Sequence, residues 1–189
     1  MRPAVKADGT TYYEHVLVYV DDVLSISDQP MTTMKGLQNR FKLKDDKIEE
    51  PDIYLGASLS KMLNETNKEC WAMSADKYCA AAVNNVTEVL NKRGLRLPTK
   101  CLTPLSGGYR PELDTTPELK ADGVQYYQEI IGVLRWAVEI GRVDILHEVS
   151  LMSSYLAMPR HGHFEQVIHI FGFLKEHKKL RLMFDSDHP

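Results

Sequence analysis

Residues Val16 to Ser27 read VLVYVDDVLSIS, and this stretch limits the possible folds more than any other. Two β-rich runs, Val16–Val20 and Val23–Ser27, flank only Asp21 and Asp22, so the spacing predicts a tight β-hairpin with an acidic pair at its tip. Two-residue hairpin loops need positive φ and favour glycine, and Asp-Asp supplies none. Adjacent like charges also repel, and the flanking apolar residues offer no cation. A bound divalent cation would offset both costs, because hard cations take carboxylate oxygens from rigid elements. The alternative is a solvated acidic turn. In the first run Leu17 and Tyr19 share one face and Val16, Val18 and Val20 the other, which predicts burial on both sides.

The 189 residues are 43% hydrophobic, enough for one domain with a sizeable core or two small lobes. A net charge of −3 excludes an overall basic grip on nucleic acid, so any such grip must be a local patch. Cys70, Cys79 and Cys101 have no metal-like spacing, and their odd number argues against a disulfide framework, leaving reduced intracellular thiols as the default. No apolar run reaches transmembrane length and no signal peptide is evident, so the chain reads as soluble, with no membrane partner. His161, His163 and His169 lack a partner that would complete a tetrahedral zinc set and read as polar residues of a helix start. Trp71 and Trp136 read as core aromatics.

In chain order, Pro30 opens a helix to about Lys42, and Lys44–Glu50 reads as a charged loop. Asp52–Lys61 reads as a strand whose interior Gly56 marks a bulge, a close approach or a bend, with Glu69–Met73 as its partner. Ser74 is placed to N-cap a helix over Ala75–Arg93, and Gly94 to end it. Leu95 to Gly123 is rich in Pro, Gly and Thr and forms the best candidate linker. Helices are then predicted over Tyr126–Gly141, Arg142–Met158 and Gly162–Lys175, before a last strand, Leu180–Phe184. Lys175, Lys178, Lys179 and Arg181 make the strongest basic run, fit for phosphates or simply a solvated helix end. Arg135, Arg142 and Asp144 sit near a helix break and could pair with each other.

Taken together, the order of motifs resembles the reverse transcriptases of copia-type retrotransposon Pol polyproteins. Tyr19-Val20-Asp21-Asp22 is similar to their YVDD signature, followed by a helix with Leu37, Phe41 and Leu43 and by Tyr54-Leu55-Gly56. Ser74, Lys77 and Tyr78 resemble their "sQ-x-x-Y" helix start, with Ala75 in place of glutamine. Thr103-Pro104-Leu105, then Tyr127-Gln128 with Ile131-Gly132-Val133-Leu134, follow in family order. Gly141-Arg142-Val143-Asp144-Ile145 resembles "TRPDI" with valine for proline, and Pro159, Gly162-His163 and the run to Leu174-Lys175 complete the series.

The resemblance implies an α+β fold: a partial polymerase palm, built from the antiparallel YVDD hairpin, helices and a primer-grip-like hairpin, followed by a helical thumb. It places the partial palm in 1–97, a linker in 98–123, the thumb in 124–178, and in 179–189 the start of a connection towards a ribonuclease H segment. It further implies RNA-directed DNA synthesis by two-metal nucleotidyl transfer, with Mg2+ held by Asp21 and, in support, Asp22, an RNA template, a DNA primer and dNTP. Tyr19, Tyr54, Gly56, Lys175, Lys178 and Lys179 would touch nucleic acid. The family's other catalytic aspartate lies upstream of YVDD, where this chain offers only Asp8 and Glu14 in no matching motif. The expectation is therefore a piece of the enzyme, lacking upstream palm and fingers and the downstream ribonuclease H segment, and inactive alone. A non-catalytic nucleic-acid-binding module or a degenerate relic of the element stands as the rival reading. The implied location is the cytoplasm, within virus-like particles, or the nucleus.

Overall fold

The computed structural model describes residues 1–42 and 47–185. Leu43, the part of the predicted charged loop at 44–46, and the end of the predicted connection at 186–189 lie outside the described residues. Contact density divides the chain into two units between Leu55 and Gly56, ahead of the Pro-rich stretch at 98–123. Among the described residues are seven strands and five α-helices.

The first unit holds a three-stranded antiparallel sheet in the order β1 (Arg2–Val5), β2 (Thr11–Tyr19), β3 (Asp22–Ile26), then α1 (Pro30–Gln38) and the short β4 (Ile53–Tyr54). Strand β1 was not evident in the sequence: Gly9 at φ 86 lets the chain turn back, and Arg2 then pairs with Glu14 in register. α1 packs on the sheet face carrying Glu14 and Val16. It is shorter than the predicted run to Lys42, and Phe41, expected on its apolar face, lies beyond it and is mostly exposed.

The opposite sheet face corrects the expectation of two-sided burial. Register puts Val5, Tyr13, Leu17, Tyr19 and Ile26 on that face, and all five are classed as exposed. Among the described residues every buried hydrophobic side chain belongs to the second unit, from Ala57 to Leu174. One helix with no buried residue cannot cover both faces of a sheet, so β2 keeps its apolar alternation without a second layer.

In the second unit β5 (Ala57–Leu63), β6 (Glu69–Ser74) and β7 (Leu182–Phe184) pair antiparallel. α2 (Asp76–Lys92) starts one residue later than predicted, since Ala75 is its N-cap. The Ser74 hydroxyl still takes the Asp76 amide (3.3 Å) and donates to the Leu180 carbonyl (2.9 Å), tying the helix start to the chain before β7. Gly94, at φ 70, ends α2 as predicted: its amide reaches the Asn91 carbonyl and the Leu95 amide reaches that of Leu90, a Schellman motif.

α3 (Ala121–Glu139), α4 (Leu146–Ser153) and α5 (His161–Glu176) complete the unit. The long helix predicted over Arg142–Met158 is instead a 3-10 turn, Val143–Ile145, followed by α4. At this turn the Arg142 side chain, 1% exposed, makes a forked pair with Asp144 (2.9 and 2.7 Å). Burial pushes the neighbouring Cys79 thiol up, opposed by the Arg142 guanidinium. The core includes Ile130, Ile131 and Leu134 of α3 and Val167, Ile170, Phe171 and Leu174 of α5, all buried. Trp71 and Trp136 are only half-buried, against expectation; Trp71 lies on a sheet face with Lys61 Nζ 5.3 Å from its ring centroid.

Candidate metal-binding hairpin and basic surface

The hairpin forms where the sequence puts it, with its loop one residue earlier. Tyr19 and Asp22 are the last paired residues of β2 and β3, so the two-residue loop is Val20-Asp21 rather than Asp21-Asp22. Positive φ falls on Val20 (54), a costly conformation for a β-branched residue. The shift follows from strand twist, which demands a left-handed residue at the first loop position; pairing Asp22 then leaves Val20 to supply it. Val20 is 88% exposed, so its side chain packs on nothing that would repay the strain.

The shift separates the two acids. Asp22 stands in the ladder beside Tyr19, on the open apolar face, while Asp21 projects from the loop. Both are exposed. Neither carboxylate has an ion-pair partner among the described residues, so both keep their oxygens available. Tyr54 of β4 is half-buried in the same unit, and its hydroxyl is pushed above the usual phenol range, first by burial and then by the negative charge of Asp22. Tyr19, Asp21, Asp22 and Tyr54 thus all lie in the first unit.

Gly56 opens the second unit. It was expected inside a strand, but with Leu55 it forms a tight turn in which both residues take positive φ (53 and 87). A turn with two left-handed residues is the I′ type, which glycine suits and leucine tolerates at a cost. Lys175 is exposed in the last turn of α5, where a cation complements the helix C-terminus, and Lys178 and Lys179 are exposed just beyond it. Arg181 instead reaches the Met62 sulfur at 3.3 Å.

An exposed carboxylate pair fits a hard divalent ion in ligand type, though two carboxylates fill only part of the coordination such an ion takes. Among the described residues no group of three or more His, Cys, Asp or Glu could hold a metal ion. His163 is buried and structural: its Nδ1 accepts the Arg160 amide (3.0 Å) and its Nε2 donates to the Pro111 carbonyl (3.1 Å).

Two polar clusters went unread in the sequence. Glu14, almost fully buried, takes hydrogen bonds from Ser27 (2.7 Å), Tyr12 (3.2 Å) and Arg2, and the Ser27 hydroxyl and then Arg2 hold its carboxyl below the usual range. Asp114 accepts from the Tyr109 hydroxyl (2.6 Å), the Thr116 amide (2.8 Å) and the Thr116 hydroxyl (2.5 Å), and Thr116 Oγ1 accepts the Gly162 amide (2.9 Å). Burial opposes ionisation of Asp114, but these bonds prevail and its carboxyl stays below the usual range. The signal for this cluster was Asp-x-Thr, a pattern whose side chains close onto the backbone two residues on.

An acidic hairpin joined to an α+β unit with a helical core narrows the class without fixing it, and related sequences narrow it further. The chain is 29% identical over 182 residues to a transposon Ty5-1 protein of Saccharomyces cerevisiae. It is 28% identical over 167 residues to the retrovirus-related Pol polyprotein of transposon TNT 1-94 from Nicotiana tabacum, and 24% over 163 residues to that of transposon RE1 from Arabidopsis thaliana. These alignments take in 95%, 85% and 85% of this chain. The chain spans about half the yeast relative (54%) and about a tenth of the plant polyproteins (12% and 10%). No family profile and no solved structure matches it. The homologues are thus retrotransposon Pol proteins, as the resemblance to copia-type Pol polyproteins implied.

Proposed function

We propose that the chain is a segment of the reverse transcriptase region of a copia-type Pol polyprotein, working in RNA-directed DNA synthesis. The observation that carries this reading is Tyr19-Val20-Asp21-Asp22 standing at a hairpin tip with both carboxylates exposed and uncommitted. In this reading the first unit and the β5–β6 hairpin belong to the palm and primer grip, and the helices after Ala121 to the thumb. Asp21 and Asp22 would hold Mg2+, whose chemistry when bound is to steady the charge of phosphoryl transfer. The chain's own part is to aim two carboxylates from a two-stranded ladder and to bring Tyr19 and Tyr54 beside them. RNA template, DNA primer and dNTP are the substrates. Elements of a longer Pol chain complete the site, because two-metal transfer uses more carboxylates than this hairpin presents. The 189-residue chain alone therefore does not extend a primer. Its place is with the element's particles in the cytoplasm, or in the nucleus.

A second reading, a non-catalytic nucleic-acid-binding module, draws on the exposed Lys175, Lys178 and Lys179. Primer extension on an RNA template with Mg2+ separates the two. The comparison is between this chain and a version lengthened upstream with the family's palm, each with Asp21→Asn. Activity only in the longer form, lost with Asp21→Asn, is the expected result. Inactivity of both, with salt-dependent duplex binding indifferent to Asp21→Asn, would replace the polymerase reading by the binding module.

A further inference from the structure

The open face of the first unit's sheet carries no second layer, and its layout limits what can cover it. Register sets its side chains in rows across the strands: Val5 with Thr11, Pro3 with Tyr13, His15 with Ile26, Leu17 with Leu24, and Tyr19 with Asp22. Val5 is 65% exposed, Tyr13 59%, Leu17 42%, Tyr19 51% and Ile26 52%. At about 200 Å² for a fully exposed side chain of this size, the five present about 500 Å² of largely apolar surface. A contiguous apolar patch of that extent is often an interaction site. The unit also needs the cover. None of the buried hydrophobic side chains among the described residues lies between Met1 and Leu55, so the sheet and α1 enclose no core of their own.

Charge and area select the occupant. The rows from Val5 to Leu24 carry no Lys, Arg, Asp or Glu, so this part of the face offers nothing to the phosphates of a nucleic acid. Charges stand only at the ends. Asp22 and Asp21 hold one end, while at the other Lys6 and Asp8 offset each other. A second copy turned antiparallel about His15 lays the acidic end of one sheet on the neutral end of the other. The Leu17 row of each copy then meets the Tyr13 row of its partner, and the two Tyr19 rows stay about 27 Å apart at about 3.4 Å per residue. Two such faces bury about 1,000 Å², the low end for a specific interface, so the pair forms and parts with concentration.

We propose that this face pairs with the same face of a second copy of the chain, the two sheets stacked antiparallel about 10 Å apart. The pairing goes beyond the polymerase reading and does not rest on it, because the contact uses the apolar rows and not the carboxylates. Analytical ultracentrifugation of the full chain is expected to show monomer at about 1 µM and dimer by about 100 µM. Tyr13→Lys with Leu17→Lys should weaken the dimer by about tenfold or more, since each copy would bury unpaired charge. Leu102→Lys, at a residue 81% exposed in the second unit, should leave it unchanged. Cys70, Cys79 and Cys101 are buried, so a short bismaleimide reports introduced thiols. His15→Cys copies, beside the axis, are expected to link as dimers, and Val20→Cys copies, at the distant tips, are not. Association that grows past the dimer, an ineffective Lys pair, equal disruption by Leu102→Lys, or Val20→Cys linking as well as His15→Cys overturns the proposal. A chain still monomeric at 100 µM also overturns it, and gives the face to another segment of a longer chain.

Discussion

Gly162→Ala is a substitution that helix propensity alone would favour, and the structure reverses its sign. Gly162 lies in the first turn of α5 with no positive φ, so alanine there would ordinarily gain up to about 1 kcal/mol. A Cβ at that point, however, falls 1.9 Å from Asp114 Oδ2 and 2.8 Å from its carboxyl carbon. The carboxylate must leave, and it carries the Tyr109 and Thr116 hydroxyls at 2.6 and 2.5 Å. Hydrogen bonds to a charged acceptor contribute about 1.5 kcal/mol each at the low end, so losing two costs about 3 kcal/mol. Removing an anion from a helix N-terminus adds about 0.5 kcal/mol. Set against the propensity gain, the net is a loss of about 2 to 3 kcal/mol. Urea unfolding of the full chain measures it, the midpoint falling at unchanged slope. In an Asp114→Ala background the clash is gone, so Gly162→Ala should turn neutral or stabilising, a coupling visible in a double-mutant cycle. A Gly162→Ala chain as stable as the parent would refute the packing of residues 109–116 against α5.

Arg142→Ala leaves Asp144 without its forked partner and opens a void at a site 1% exposed, so a loss of about 3 kcal/mol is expected in thermal unfolding. Arg142→Lys should recover less than half, because an ammonium cannot make the paired 2.9 and 2.7 Å contacts; full recovery would mean that the fork contributes nothing. Glu14 gives the pH dependence: its folded pKa is lowered by Ser27 and Arg2, so its stabilising effect is complete above the unfolded value of about 4.3 and is lost as pH falls through the folded one. Glu14→Gln should therefore flatten the acid limb of an unfolding-midpoint profile, and parallel profiles for the two chains would discard the cluster as a source of acid sensitivity.

How far the sequence carries depends on the range of the interaction. Local signals were readable: Gly94 as a helix stop, Ser74 near a helix start, the apolar spacing of Ile130, Ile131 and Leu134. Each depends on neighbours within one or two helical turns. What sequence could not supply was anything set by distant partners. The Arg142–Asp144 pairing is local, but the near-complete burial of Arg142 (1% exposed) beside Cys79 of α2 is a tertiary fact. The Pro-rich stretch carries linker composition, yet Cys101 is 1% exposed and Pro111 is buried, since Asp114, Thr116 and His163 anchor it to α5. Composition reports the freedom of an isolated segment, and hydrogen bonds across 46 or 52 residues remove it.

The hairpin tip is the opposite case, since its placement could be read at once and its geometry was still off by one residue. Hairpin rules place the left-handed residue first in the loop, and they would have been satisfied cheaply by glycine or asparagine. The chain instead sets a β-branched valine there at φ 54 and leaves it 88% exposed, beside two carboxylates with no ion-pair partner among the described residues. Local strain, like charge and exposed apolar surface are three separate costs at four consecutive residues, and none of them lowers the energy of this unit. Natural sequences are consistent across levels except where function overrides folding, so such a coincidence is better evidence for a site than any one of its parts. The β-rich runs on either side point to Asp21-Asp22 as the loop, but the ladder takes in Asp22 and leaves Val20 in the turn. Moving the strain onto Val20 frees Asp22 to be held by the ladder, and a carboxylate held by paired backbone is aimed more firmly than one on a free loop. The two acids therefore differ in kind, Asp22 positioned by the sheet and Asp21 by the turn that Val20 strains to make.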